Sequence, residues 1–269
     1  MSSPLSQAKT KLHEYLERQE KGVGLCLQRY NLEFQAYADL GGLFDKLVQA
    51  WRPPGRPLTD QEGFRWVFLT SVKEQMYGTV FLLLRLRAAD AEAITRYAIE
   101  ATALAHHLWK NPGLFKTYQD ACPHIAEERK SNQFELSSSY KNELGEKKLF
   151  ASLEKTLPER GKHLRTGYAL ICYHASHAGP GIKHRLKERN GKIEYRAHSV
   201  DQESADTDWA ILLTYYFDML HVFYAIMKET ITDQTRTRLE HDFRDWHSRV
   251  MPQLSREALD RKAKGPGQQ

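Results

Sequence analysis

The sequence predicts a mainly α-helical protein, a multi-helix bundle of about eight helices with one small inserted β-hairpin. Long segments carry apolar residues at helical spacing, and prolines or glycines separate these segments. One segment differs because it contains Asn190-Gly191, a dipeptide that accepts the positive φ angles of a type I′ hairpin turn. Hydrophobic residues make up 41% of the chain and charged residues 27%, a balance that is typical of a folded globular protein.

Residues 1–52 are predicted to form an N-terminal helical arm or subdomain. Its helices, Leu5–Glu20 and Leu25–Trp51, are expected to be separated at a pair of glycines, because glycine loses more conformational entropy in a helix than other residues. Residues 52–57, Arg-Pro-Pro-Gly-Arg-Pro, then predict a stiff linker, since proline fixes φ and removes a hydrogen-bond donor.

The main helical bundle is predicted over residues 58–252. Thr59 and Glu62 form a capping-box pattern, in which the two side chains accept hydrogen bonds from the backbone at the start of a helix. The remaining residues, 253–269, are polar and end in Gly-Pro-Gly-Gln-Gln, so they are expected to be a disordered tail. The helices of the bundle are predicted at 61–87, 90–110, 137–157, 158–177 and 208–230, with an amphipathic helix after them.

The β-hairpin is predicted to span Ile182–Ala197. Pairing outward from its turn places Lys187 opposite Glu194 and Leu186 opposite Tyr195, and an opposite-charge pair across two strands is favourable. Lysine and arginine outnumber acidic residues in this segment. Two interpretations of that charge remain open: contact with phosphates, or protection of the edge strands against aggregation.

The segment Trp209–Met227 is mostly apolar and nearly long enough to span a membrane. Asp218 and His221 lie near its centre, where ionisable groups are costly in lipid. We therefore expect a buried central helix that contains Asp218 and His221 as a core pair, and no membrane partner. The three cysteines lie far apart without a CxxC motif, which favours reduced thiols in the cytoplasm.

Candidate binding residues form a stripe on the helix predicted at 90–110. Arg96, Glu100 and His107 fall on one face of that helix, and Arg96 and Glu100 have the i,i+4 spacing of an ion pair. A salt bridge on a solvated face and a charge pair turned into the bundle are both consistent with this pattern.

A second set of candidate binding residues lies at the end of the helix predicted at 158–177. His174 and His177 share a face there, with Tyr168 beside it. We predict that Arg96, Glu100, Tyr168 and His174 converge in one pocket, because isolated buried charges are too costly to leave unpaired. Such a pocket would be either a polar core or a binding site.

The familiar motifs for nucleotide, metal and cofactor sites are missing from the sequence. It contains no GxGxxG, P-loop, GxSxG or HExxH pattern, and its histidines follow no recognised metal-ligand spacing. We therefore expect no metal and no cofactor.

Two families share short motifs with this chain. The segment Arg96-Tyr-Ala-Ile-Glu100 and the later Tyr168…His174-Ala-Ser-His177 resemble bacterial helical families of unknown function, over roughly residues 90–230. The chain also resembles the HEPN superfamily of helical ribonucleases, which act on RNA without metal in toxin and phage-defence systems through an Arg-x(4–6)-His motif. That resemblance implies catalytic roles for Arg165, His174 and His177, although eight residues separate Arg165 from His174.

Three functions therefore follow as expectations from the sequence. The first is an uncharacterised bacterial-type protein that binds an anionic ligand or RNA around His174 and His177. The second is a metal-independent ribonuclease of HEPN type. The third is a homo-oligomeric structural or interaction protein.

Overall fold

The structure is a computed structural model, and it describes residues 4–51, 57–85, 87–121, 142–173, 186–189, 192–195 and 202–264. Within these residues the fold is mainly α-helical, as predicted. A shorter helical stretch covers residues 114–121. The longer helices and the strands are, in chain order, α1 Pro4–Arg29, α2 Asn31–Trp51, α3 Asp60–Leu83, α4 Ala88–Lys110, α5 Glu146–Thr156, α6 Pro158–Ile171, β1 Leu186–Arg189, β2 Lys192–Tyr195, α7 Gln202–Met227 and α8 Asp233–Lys264.

Helix α7 is the central helix of the bundle and packs against α2, α3, α4, α6 and α8. Its stretch Asp208–Met227 is long and apolar enough to cross a membrane. Within the most apolar 18 residues of that stretch, 72% are buried inside the protein. Trp209, Tyr216 and Phe223 are completely buried. The predicted helix is present, and the surrounding helices account for its apolar character.

The N-terminal helices differ from the prediction. Helix α1 runs without interruption through Gly22 and Gly24, and the chain instead turns at Tyr30. A Cβ atom added at either glycine would meet nothing within 4 Å, so this helix tolerates both at a cost of about 1 kcal/mol each. Tyr30 is buried and stacks on Trp209 with ring centroids 5.4 Å apart, which fixes the turn against α7.

Helix α2 belongs to the same core as the main bundle. Leu40, Phe44 and Leu47 are completely buried within the hydrophobic cluster that contains α7. The Tyr37 hydroxyl donates a hydrogen bond to the backbone oxygen of Trp209 at 3.3 Å. The predicted division at residue 52 therefore does not separate α2 from the bundle.

Helix α3 begins with the predicted capping box. The Thr59 hydroxyl oxygen accepts a hydrogen bond from the backbone N–H of Glu62 at 3.3 Å, and the backbone N–H of Thr59 donates to the Glu62 carboxylate at 2.9 Å. Farther along, the buried hydroxyl groups of Thr79, Thr95 and Tyr216 join in one hydrogen-bonded chain. This chain connects α3, α4 and α7 and leaves none of these three hydroxyls without a partner.

Helices α5 and α6 form a closely packed pair. A Cβ atom added at Gly161 of α6 would lie 2.7 Å from the backbone nitrogen of Glu154 in α5. No side chain larger than hydrogen fits at this position without a shift of the two backbones. The helix predicted from residue 137 is interrupted by a bend at residues 144–145, and α5 begins after it.

Helix α8 extends farther than predicted. It continues past Pro252 to Lys264, and Leu254 is only 2% exposed. The prediction that a disordered tail begins at residue 253 is therefore wrong. The segment 256–264 is polar, but most of its residues are good helix formers, and this propensity continues the helix.

Strands β1 and β2 pair antiparallel. Leu186 lies opposite Tyr195 and Lys187 opposite Glu194, the same pairs that the sequence predicts. The turn residues Asn190 and Gly191 and the outer parts of Ile182–Ala197 lie outside the described residues. The complete hairpin therefore stays a prediction.

Candidate anion-binding site

Arg96 and Glu100 of α4 meet Tyr168 of α6. The Tyr168 hydroxyl donates a hydrogen bond to Glu100 Oε1 at 2.8 Å, and Arg96 Nε lies 3.6 Å from the same oxygen. These three residues converge as predicted, and the charge pair faces another helix. The two other residues predicted for this region, His174 and His177, lie outside the described residues.

The charges of this cluster support one another. Burial raises the pKa of Tyr168, and its hydrogen bonds to Glu100 and Cys172 raise it further. Burial lowers the pKa of Arg96, but Glu100, Cys172 and Tyr168 outweigh it and raise the pKa overall. Tyr168 therefore remains a protonated donor to the Glu100 carboxylate, while Arg96 remains a cation.

We expect Tyr168→Phe to lower the free energy of unfolding by about 1–2 kcal/mol, because a charge-assisted hydrogen bond between α4 and α6 is lost. Urea denaturation monitored by circular dichroism measures the change. Tyr97→Phe is the control: Tyr97 is 53% exposed, and its hydroxyl has no hydrogen bond among the described residues. A Tyr168→Phe effect no larger than that of the control would show that the hydrogen bond adds nothing to stability.

His107 has a different environment from the other two residues of its predicted stripe. It is buried, its Nε2 lies 3.1 Å from the backbone oxygen of Glu143, and its Nδ1 lies 3.3 Å from the side-chain nitrogen of Asn111. Burial lowers the pKa of His107, the Glu143 carbonyl opposes this effect, and Lys148 lowers the pKa further. A neutral ring that donates from Nε2 and accepts at Nδ1 satisfies both contacts.

An open groove lies beside His107, between the end of α4 and the length of α5. Its volume is about 700 Å³. Three lysines line it, and no carboxylate is among the described residues that do so. We call it the lysine groove. Its cationic and hydrogen-bonding residues, besides His107, are Lys110, Lys148, Lys155, Asn111, Ser152 and Thr156.

The three lysines differ in how firmly they are held. Lys148 forms an ion pair with Glu143 at 2.9 Å, and the Lys110 ammonium lies 3.8 Å from the centroid of the Trp109 ring. Lys155 has no ion pair or hydrogen bond within the part of the chain that the structure describes. These lysines were not predicted from the sequence, although the i,i+7 spacing of Lys148 and Lys155 places them on one helix face.

The resemblance to HEPN ribonucleases implies a catalytic role for Arg165. In the structure this side chain contacts α5. Its Nη1 lies 3.3 Å from Glu154 Oε1, and its side chain is 54% exposed. This contact is a surface ion pair, which contributes little to stability.

The predicted core pair of Asp218 and His221 is wrong, because Asp218 pairs with residues of another helix. Asp218 accepts hydrogen bonds from Arg160 and from His163 Nδ1, the latter at 2.6 Å, and both partners come from α6. The His221 ring instead packs edge-on against Phe217 and Phe243. The charge of Asp218 is therefore neutralised by a neighbouring helix, which makes a carboxylate in an apolar helix tolerable.

The described part of the chain contains no group of three His, Cys, Asp or Glu side chains suited to hold a metal ion. The fold and the lysine groove together define a helical-bundle protein with a cationic surface groove. No known protein family, curated protein or solved structure matches this chain.

Proposed function

We propose that this chain is a cytoplasmic protein that binds a phosphate-bearing anion in the lysine groove, and that its ligand is RNA. The observation that carries the proposal is the convergence of Lys110, Lys148 and Lys155 on one open groove, where, among the described residues, Lys148 alone of the three forms an ion pair with a carboxylate, that of Glu143. Ammonium groups that share a groove repel one another, so an anion between them is favoured. Lysine side chains bind phosphates by charge and do not read base sequence.

The shape of the groove favours a chain of phosphates over a single phosphate group. Lys148 and Lys155 are seven residues apart on α5, which separates them by about 10 Å along the helix axis. The polar side chains of Asn111, Ser152 and Thr156 lie in the same groove and can hydrogen-bond to phosphate oxygens or to 2′-hydroxyl groups. The formal net charge of +5 adds a long-range attraction for nucleic acid.

The proposal includes two further contacts for the anion. The strands of the predicted hairpin carry Lys187, Arg189 and Lys192, which suit a second set of phosphates. The segment after α6 contains His174 and His177, which follow the helix that carries Tyr168. Protonated histidines bind phosphate most strongly at acidic pH, so a contribution from them would increase affinity as the pH falls.

The test is a titration of a fluorescently labelled single-stranded RNA oligonucleotide at several salt concentrations, followed by fluorescence anisotropy. The three groove lysines should contribute about −2 to the slope of log Kobs against log salt concentration, and any contacts from the hairpin or the histidines should add to it. Changing Lys110, Lys148 and Lys155 to Gln together should therefore reduce the magnitude of the slope by about 2. Lys155→Gln alone should reduce it by about 0.7.

A matched control separates the groove from the overall charge of the protein. Changing Lys116, Lys162 and Lys228 to Gln removes the same charge from exposed positions outside the groove. Equal loss of affinity in the two triple variants would show that the attraction depends on net charge alone. Absence of binding by the unaltered chain at low salt would reject the proposal.

The ribonuclease remains the alternative function, and it rests on the resemblance to HEPN proteins. Incubation with total RNA in the presence of EDTA distinguishes it from simple binding. Cleavage that is lost in His174→Ala, with binding retained, would replace the binding proposal by a metal-independent nuclease.

A further inference from the structure

Helix α3 carries large apolar side chains on the side that faces away from the core. Trp66 is 38% exposed, Val67 55%, Tyr77 39% and Phe81 53%. These four residues fall within about 100° of one another around the helix axis. We call them the outer face of α3.

The opposite side of α3 is already buried in the core. Leu69, Val72 and Met76 are completely buried there. A helix at the surface of a monomeric protein normally presents polar residues to water. Exposed apolar side chains grouped on one face, three of them aromatic, are typical of an interaction surface.

We propose that the outer face of α3 binds the same face of a second copy of this chain, with the two α3 helices antiparallel about a two-fold axis. In the register centred between Lys73 and Glu74, Trp66 of one copy lies opposite Phe81 of the other. Thr70 then lies opposite Tyr77. Both contacts occur twice, as the symmetry of a dimer requires.

The charges at the centre of the face favour this antiparallel arrangement. It places Lys73 of each copy opposite Glu74 of the other, whereas a parallel pair in register would oppose like charges. Within the described part of the chain, the Glu74 side chain has no hydrogen bond or ion pair. Lys73 already forms an ion pair with Asp45 of α2 at 2.5 Å, and its side chain is 18% exposed, so in the dimer its ammonium group is shared between two carboxylates. In the dimer, the Glu74 carboxylate therefore gains an ion pair with Lys73 of the second copy.

The length of the face suits a helix pair. Trp66 and Phe81 are fifteen residues apart, which corresponds to about 22 Å along the axis. At the far end, the Arg85 guanidinium lies 3.4 Å from the centroid of the Phe81 ring and covers one side of it. The other side of the ring is available to the Trp66 indole of the second copy. The face is separate from the lysine groove, which lies between α4 and α5.

Sedimentation velocity of the full-length chain over a range of micromolar concentrations tests the proposal. We expect the mass to rise from 31.2 kDa to twice that value as concentration increases. Phe81→Asp should weaken the dimer at least tenfold, whereas Leu25→Asp, at an apolar position of α1 that is 67% exposed, should not. Unchanged circular dichroism confirms that each variant is folded.

A charge exchange tests the register. Both exchanges are made in an Asp45→Asn background, so that Lys73→Glu meets no carboxylate at residue 45 of its own copy. In that background Glu74→Lys alone and Lys73→Glu alone should each be monomeric, because both place like charges at the centre of the dimer, whereas Asp45→Asn by itself should still dimerise. A mixture of the two variants should form a heterodimer, since every central pair then has opposite charges. A monomer at every concentration would overturn the proposal, as would a dimer that Phe81→Asp leaves intact or a mixture that stays monomeric.

Discussion

Replacement of His106 by leucine is expected to increase the free energy of unfolding, and to increase it most at acidic pH. His106 is completely buried in α4, and within the described residues neither ring nitrogen has a hydrogen-bond partner. The His106 ring contacts the Trp109 ring edge-on, at 5.5 Å between centroids. A buried nitrogen without a partner costs about 1–3 kcal/mol, and leucine removes this cost.

The pH dependence follows from the pKa of the same ring. Burial, with smaller contributions from Lys110 and His107, lowers the pKa of His106 to about 4. In the unfolded chain a histidine has a pKa of about 6.5. Between these two values the unfolded chain binds more protons, so stability falls as the pH falls through this window. The loss from His106 is about 2 kcal/mol at pH 5 and about 3 kcal/mol at pH 4.

Urea denaturation at pH 7.5, 6 and 5 measures the effect. The stability difference between His106→Leu and the unaltered chain should grow by about 2 kcal/mol as the pH falls from 7.5 to 5. His241→Leu is the control, since the His241 side chain is 75% exposed. His221, whose pKa burial lowers to about 3, is present in both proteins and cancels in the comparison. If the difference in unfolding free energy were the same at all three pH values, protonation of His106 would have no effect on stability.

Gly161→Ala is expected to destabilise the fold by about 1–3 kcal/mol, although alanine normally favours a helix. The added Cβ would lie 2.7 Å from the backbone nitrogen and 2.8 Å from the Cα of Glu154. These are backbone atoms of α5, so they cannot rotate aside as the end of a side chain would. Relief of the contact requires α5 and α6 to move apart.

The control for this prediction is another glycine inside a helix. A Cβ atom at Gly63 of α3 would meet nothing within 4 Å, so Gly63→Ala should stabilise the fold by about 0.5–1 kcal/mol. Thermal and urea denaturation of both variants should therefore give opposite signs. Stabilisation by both substitutions would mean that the α5–α6 contact is looser than the structure shows. Since α5 carries Lys148 and Lys155, Gly161→Ala should also weaken RNA binding.

Local signals in the sequence located several features correctly. The capping box at Thr59 and Glu62 fixed the start of α3, because both partners lie within one helical turn. The convergence of Glu100 with Tyr168 was predicted from the cost of buried charge, which requires a partner but does not depend on the details of packing. The first inference needs only one helical turn, whereas the second joins residues 68 positions apart and rests on the general cost of an unpaired buried charge.

Other features that depend on packing between distant segments were not predicted. Asp218 was paired with His221, its neighbour in α7, whereas its partners Arg160 and His163 are 55 residues or more away. The lysine groove exists only because α4 packs against α5, so its charges look like an ordinary solvated surface in the sequence. Helix α1 continues through Gly22 because nothing in the fold requires a turn there.

The position of α7 in the chain has a consequence for synthesis on the ribosome. This helix begins at Gln202 of 269 residues, yet it supplies the surface on which α2, α4 and α6 pack. Those helices emerge first, and their apolar faces have no central helix to cover them until residues 202–227 have left the ribosome. Exposed apolar surface in a growing chain promotes aggregation. We therefore expect the apolar faces of α2, α4 and α6 to remain open to chaperones or to aggregation until α7 has been synthesised.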